Sequence, residues 1–394
     1  MQTAHLFALV CAALLPVAAA SGWYLSKRSS ERRRHARVSE LSSSYFRGLN
    51  YLLNEQPDKA IEVFLQLAEF NRDTVETHLA LGNLFRRRGE VDRAIRVHQH
   101  LIARPNLSEE EKTIALLELG EDYMRAGLLD RAETLFTDLV AMDAQAPSAL
   151  RHLIGIYQHE KDWEKAIEHA RRMEKITGES QGATIAQFYC ELAEQSRAAK
   201  QFADARTWLE QALQSQPESV RAQLVLGQLE LQQGNFKAAI AAFERVATLD
   251  VDFVPEILPQ LLDCYARQGQ MQRAEKFLLD NIDRSPGVAP VIALAKLFAS
   301  TRGEPIAIEF LTRQLRQRPS LRGLMTLIVT DLHRSEGRAR DGLLVLQDLT
   351  RRLLEGQAAY RCTRCGFGAK SHHWQCPSCK TWGSVRPIHG VAGE

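Results

Sequence analysis

The chain has 394 residues and a mass of 44.4 kDa, longer than one compact core usually runs, so more than one structural unit is expected. Hydrophobic residues make up 45% and charged residues 25%, which excludes a polytopic membrane protein and a largely disordered chain. Residues 27 to 37 hold six basic side chains against Glu31 and residues 360 to 394 hold five against Glu394, so a net charge of +2 leaves the long middle about seven charges negative, which does not suit a nucleic-acid groove.

From His5 to Leu25 there are 21 consecutive residues without a formal charge, close to what a helix needs to cross a bilayer. Trp23 and Tyr24 stand at the end next to the basic run, where amphipathic rings prefer the interface, and Pro16 would kink the helix locally. Ala18-Ala19-Ala20-Ser21 resembles a cleavage site, but a signal peptide carries its positive charge before the apolar stretch, and here all of it follows. The expectation is an uncleaved anchor over residues 1–26 and a basic juxtamembrane linker over 27–44. By the positive-inside tendency the N-terminus lies outside and the rest of the chain in the cytoplasm.

The middle, residues 45–355, is predicted to be an array of about nine helical repeats. A small residue followed by an aliphatic one recurs in PDKAI, EVDRAI, LLDRAE, DWEKAI, QFADAR, NFKAAI, QMQRAE, EPIAIE and RARDGL. The small residues are Ala60, Ala94, Ala132, Ala166, Ala205, Ala239, Ala274, Ala307 and Gly342, in steps of 33 to 39 residues, the tetratricopeptide period. Nine residues before these markers stand Tyr51, Phe85, Tyr123, Tyr157, Tyr265 and Phe298, with Ser196, Glu230 and His333 as exceptions. Twelve before them, where two helices cross closely, stand Gly48, Gly82, Gly120, Ala193, Gly227 and Ala295, but Ile154, Leu262 and Thr330 in the other three. Two longer steps are read as loop insertions: one holds Pro105 and the capping box Ser108-x-x-Glu111, the other Gly178 and Gly182.

Such arrays bind partners on a concave surface lined by the first helix of each repeat. Counting from the markers, the inward candidates are Asn83, Arg86, Glu121, Glu194, Arg197 and Gln228. His98, His100, His152 and His169 lie on separate repeats and are assigned surface or packing roles.

Residues 356–394 break the helical period and read as a small metal-binding module. Cys362, Cys365, Cys376 and Cys379 are spaced C-x2-C-x10-C-x2-C, and four thiolates satisfy one tetrahedral soft-metal ion. So short a segment cannot bury enough surface to fold unaided, and the metal supplies much of its folding free energy. Tyr360, Phe367, Trp374 and Trp382 are expected to cover the site, His372 and His373 to stay on the surface, and the module to dock on the array or on a partner. Cys11, Cys190 and Cys264 stand alone, and paired free thiols suit a reducing compartment. The ion is left open between zinc and iron, since the CxxCG and CPxC knuckles are rubredoxin-like while Lys380 replaces the usual second glycine.

Several stretches resemble the lipopolysaccharide assembly protein B family (LapB, also called YciM) of Gram-negative bacteria over essentially the whole chain. They are LLPVAAASGWY, LGNLFRRRGEVDRAIRVHQ, FYCELA, AYRCTRCGF and HWQCPSCKTW. The resemblance implies an inner-membrane protein that promotes proteolysis of the deacetylase LpxC by the membrane protease FtsH and organises other lipopolysaccharide assembly proteins. It also implies metal-ligand roles for Cys362, Cys365, Cys376 and Cys379. No Gly-rich phosphate loop, H-E-x-x-H or nucleophile elbow is present, so a non-enzyme is expected. The alternative is a rubredoxin-like electron-transfer protein on a repeat scaffold; nucleic-acid binding by the basic ribbon ranks below both.

Overall fold

The computed structural model describes residues 46–48, 50, 51, 54, 56–70, 75–391 and 393. The expected anchor and basic linker lie outside the described residues, and no described helix is long and apolar enough to cross a membrane. The chain divides between Ile156 and Tyr157 into two compact units.

Both units are built from antiparallel helix pairs. The first unit packs Val75–Arg88 on Val91–Ile102 and Glu109–Arg125 on Leu129–Ala141. The second packs Gly182–Ala198 on Phe202–Ser215, Val220–Gln232 on Phe236–Leu249, Val254–Arg267 on Met271–Ile282, Ala289–Arg302 on Glu304–Gln317 and Leu321–Leu332 on Gly337–Leu354. In most pairs the turn has one residue in the left-handed region, five positions before the marker. Gly89 and Gly127 supply it without strain, whereas Lys161 (φ 61°) and Lys200 (φ 62°) hold the same conformation with a side chain. The Ser108 box forms as expected: Ser108 Oγ accepts from Glu111 N at 3.2 Å, and Glu111 Oε2 accepts from Ser108 N at 2.8 Å. Gly178 (φ 71°) ends the helix Trp163–Thr177. Gly182 is not loop; it opens the next helix, where a Cβ would lie 2.5 Å from the Ser215 carbonyl oxygen.

Two side-chain rules fix how the helices of a pair meet. First, a small residue on the first helix accepts a ring from the second. A Cβ on Gly120 would meet Phe136 at 2.5 Å, one on Gly227 would meet Phe243 at 2.5 Å, and one on Gly82 would meet the His98 ring at 2.2 Å. Second, in five repeats the marker motif carries a cation that covers the aromatic nine positions before the marker, while Phe298 is covered by Arg302 instead. Lys59 lies over Tyr51, Arg93 over Phe85 at 4.1 Å, Arg131 over Tyr123, Lys165 over Tyr157 at 4.9 Å and Arg273 over Tyr265. Each such pair contributes on the order of 0.5–1 kcal/mol at a partly exposed site. Where the aromatic is replaced by Ser196, Glu230 or His333, the residue before the marker is Asp204, Ala238 or Asp341, and none is basic.

After Leu354 the chain turns into a three-stranded sheet. The strands are β1 (Tyr360–Cys362), β2 (Gly368–Ala369) and β3 (Val385–Pro387), with β1 in the centre and antiparallel to both neighbours. The register pairs Cys362 with Val385, both buried, which puts the first knuckle next to the end of β3.

Candidate metal centre and its docking face

Each knuckle is a turn closed by a backbone bond onto its first cysteine. Gly366 N donates to Cys362 O at 3.0 Å, and Lys380 N donates to Cys376 O at 2.9 Å. Both closing residues have positive φ, 77° for Gly366 and 57° for Lys380, so the second knuckle keeps the first one's geometry with a lysine where glycine fits freely.

The two knuckles bring all four sulfur atoms within 4.8 Å of one another. Cys362 Sγ lies 3.7 Å from Cys379 Sγ, and Cys365 Sγ lies 3.7 Å from Cys376 Sγ. Four thiolates about 2.3 Å from a tetrahedral ion stand about 3.8 Å apart, so the donor set fits a zinc or iron ion. The geometry does not choose between them. Cys362 and Cys376 are buried, Cys379 is half-buried and Cys365 is exposed. The Ser384 hydroxyl, first, and then the N–H groups of Cys365 and Arg364 hold the Cys362 thiol down at about 6, while burial pushes Cys376 up to about 11. A cation entering this site forms the Cys376 thiolate by displacing its proton.

Tyr360 and Phe367 pack against the buried cysteines, as expected for a cover. Trp374 and Trp382 face the other way, onto the helical repeats. Trp382 presents its ring to Trp163 at 6.3 Å and to Phe188 at 6.1 Å, both edge-on, and its Nε1 donates to Gln158 Oε1 at 3.0 Å. Trp374 stacks on Phe253 at 5.1 Å with the planes 7° apart. His372, expected on the surface, packs edge-on against Phe253, Tyr360 and Trp374. Burial lowers it to about 4, so it is neutral at physiological pH. It takes no part in the thiol cluster.

Under the two tryptophans lies Arg221, only 2% exposed. Its guanidinium carbon is 5.7 Å from the Trp374 ring and 5.5 Å from the Trp382 ring. Its Nη2 donates to Glu191 Oε1 at 2.7 Å and to Glu194, and its Nη1 donates to Gln187 Oε1 at 3.2 Å. A buried cation is tolerable here because two carboxylates and two π faces replace its water. The rim is ionic: Arg386 pairs with Asp250, the Tyr360 hydroxyl donates to Glu256, and His389 Nε2 lies 3.2 Å from Asp252 Oδ1. Leu321 N donates to Val391 O at 2.7 Å, tying the tail to a later repeat. Part of the ribbon's positive charge thus meets acids of its own chain.

The six residues expected to face partners divide into groups. Arg86 and Glu121 are joined at 2.9 Å, and Arg86 also binds Glu118 and Asp122. The same Asp122 holds the fully buried His98 through Nδ1 at 2.5 Å, so His98 packs, as its assignment supposed. Glu194 is bound to Arg221 beneath the ribbon. Asn83 Oδ1 and Arg197 Nε are buried without a hydrogen-bond partner among the described residues, and Gln228 is half-buried. The residues that reasoning from sequence missed are Gln158, Phe188, Arg221 and Phe253. Arg221 had a signal, being a cation on the buried side of the helix Val220–Gln232.

Comparison with known proteins matches residues 360–387 to a rubredoxin metal-binding domain, and residues 77–110, 117–180 and 191–250 to tetratricopeptide repeats. Lipopolysaccharide assembly protein B of Escherichia coli K12 is 39% identical over 381 residues, 96% of this chain and 98% of that protein. The Haemophilus influenzae protein of the same name is 36% identical over 95% of this chain and 97% of its own length. A solved tetratricopeptide repeat protein from Parabacteroides merdae aligns with a TM-score of 0.34 at 17% identity, covering 70% of this chain and 98% of that one.

Proposed function

The chain belongs to the lipopolysaccharide assembly protein B family, and from that premise we propose that it is a non-catalytic adaptor in lipopolysaccharide assembly. In this reading the repeats bind other proteins. A single N-terminal span holds the chain in the bacterial inner membrane, with the N-terminus periplasmic and the bulk cytoplasmic. Tethering confines the array to the membrane plane and raises its effective concentration near a membrane protease and near enzymes working at that surface. The adaptor promotes FtsH-mediated proteolysis of LpxC and coordinates other assembly proteins; these partner names come from the family resemblance.

The observation that carries the reading is the packed face between ribbon and repeats. A metal module whose tryptophans are spent on its own array serves to shape a binding protein. The test is depletion of the chain followed by pulse-chase of LpxC. The expected result is a several-fold longer LpxC lifetime, and an unchanged lifetime would sink the proteolysis step. The electron-transfer alternative draws on the exposed Cys365 at the edge of the thiol cluster. A colourless zinc protein without a redox couple removes that alternative.

A further inference from the structure

In the repeats the marker residue and the residues four and seven positions later form the buried stripe of the second helix. Ala94, His98 and Leu101 are wholly buried, as are Ala132, Phe136 and Leu139, and Ala205, Leu209 and Ala212. The last helix, Gly337–Leu354, inverts this. Its marker Gly342 is exposed, with nothing within 4 Å of the position a Cβ would take. Leu346 is 50% exposed, Leu349 51% and Leu353 57%. The helix packs one position on, through Leu343, Gln347, Thr350 and Leu354, about 100° around its axis. The buried Thr350 satisfies its hydroxyl on Leu346 O at 2.7 Å, so a partly polar face lies inward while an apolar one lies outward.

The geometry points to a second copy of this chain as the occupant of the stripe Gly342, Leu346, Leu349 and Leu353, in an antiparallel, two-fold packing of the helix Gly337–Leu354 on its counterpart. The spacing of four, three and four residues is that of a coiled-coil seam. With the two-fold axis between Leu346 and Leu349, each leucine of that pair meets the other, and Gly342 faces Leu353 of the second copy. The one small residue of the stripe thus receives a large one, and the two helices approach closely there. Together with Val345, 61% exposed, the stripe offers on the order of 500 Å² per copy, enough to reach the roughly 1,000 Å² total that separates specific interfaces from crystal contacts. The array otherwise ends on an apolar face, where a terminal repeat needs a polar one for solubility.

A benzophenone side chain placed at Leu349 of the full chain tests this, with irradiation at micromolar concentration and mapping of the crosslink. The expected product is a covalent dimer joined between two copies of the segment 337–354. Leu346→Glu with Leu353→Glu, both at exposed positions, lowers its yield at least about tenfold while helix content, melting temperature and bound metal stay unchanged. Absence of a self-crosslink overturns the proposal, and so does one that survives the double substitution. Loss of the crosslink on adding phosphatidylethanolamine and phosphatidylglycerol vesicles would overturn it in favour of lipid.

Discussion

Trp382→Ala is the most direct perturbation of ribbon docking. The side chain makes two edge contacts with Trp163 and Phe188, one cation–π contact with Arg221 and one hydrogen bond to Gln158. Aromatic edge contacts contribute about 0.5–1.5 kcal/mol each, a partly desolvated cation–π contact about 1 and a neutral hydrogen bond about 1. Water reaching Arg221 in the variant returns part of this, so the expected weakening is about 3 kcal/mol, roughly a hundredfold in the ratio of docked to undocked ribbon. Hydrogen exchange reads it at Leu321, whose amide donates to Val391 O at 2.7 Å across the same docked tail. Protection there should fall by about that factor, while the metal is retained because Trp382 is outside the thiol cluster. Gln158→Ala, made on the array side, should lower protection by a smaller factor, about fivefold. If both variants leave Leu321 protected to the same degree as the parent chain, the tryptophan does not carry the docking and the reasoning is wrong.

Gly227→Ala forces a Cβ to 2.5 Å from Phe243 and should cost about 1–3 kcal/mol in thermal unfolding, more than the helix propensity it gains. Adding Phe243→Leu should recover at least half, and a cycle with no coupling would show that the two residues do not share the space. Lys380→Gly removes the left-handed strain of the second knuckle and should raise metal retention by about 0.5–1 kcal/mol in chelator competition; weaker retention would contradict the strain argument. Chelation, or Cys376→Ser, should abolish protection of the β1 to β3 amides while leaving far-ultraviolet helix signal nearly unchanged, and an intact sheet without metal would refute the folding role. With Cys362 held down at about 6 and Cys376 pushed up to about 11, metal uptake at neutral pH must displace the Cys376 proton. Below about 6 it displaces the Cys362 proton too, so affinity should fall more steeply as pH drops, and a pH-independent affinity would exclude this accounting.

The repeat period was legible because each marker must be small where two helices cross, and packing enforces that locally. The apparent exceptions have a volume logic that a single-column pattern hides. Where Gly120 or Gly227 leaves room, Phe136 or Phe243 fills it; where Leu262 takes the room, the residue sixteen positions later is Leu278 and no ring is needed. The cation before the marker was in plain view in DKA, DRA and EKA, but its meaning needs the ring nine positions before the marker, and only the fold brings the two together. The thiol site was legible because four ligands in two knuckles are nearly local in sequence. Its docking face was not, since Gln158, Phe188, Arg221 and Phe253 come from different helices and look like ordinary repeat residues. Trp374 and Trp382 were assigned to the wrong side of the ribbon for the same reason: composition says that a small module needs aromatic cover, not which surface they cover.

The contacts of Gln375 and Trp382 with Gln158 join residues 217 and 224 positions apart. At ribosomal speeds of about 5–20 residues per second, the helices around Gln158 wait roughly 10–40 s before the segment that will cover them exists. During that interval Trp163, Phe188 and Arg221 lack their lid, and the folding role predicted for the metal would keep them bare for as long as the ribbon lacks its ion. Completion of the chain and supply of metal are therefore recorded on one surface. A nascent, truncated or metal-starved copy presents a different face to the cell from a finished one.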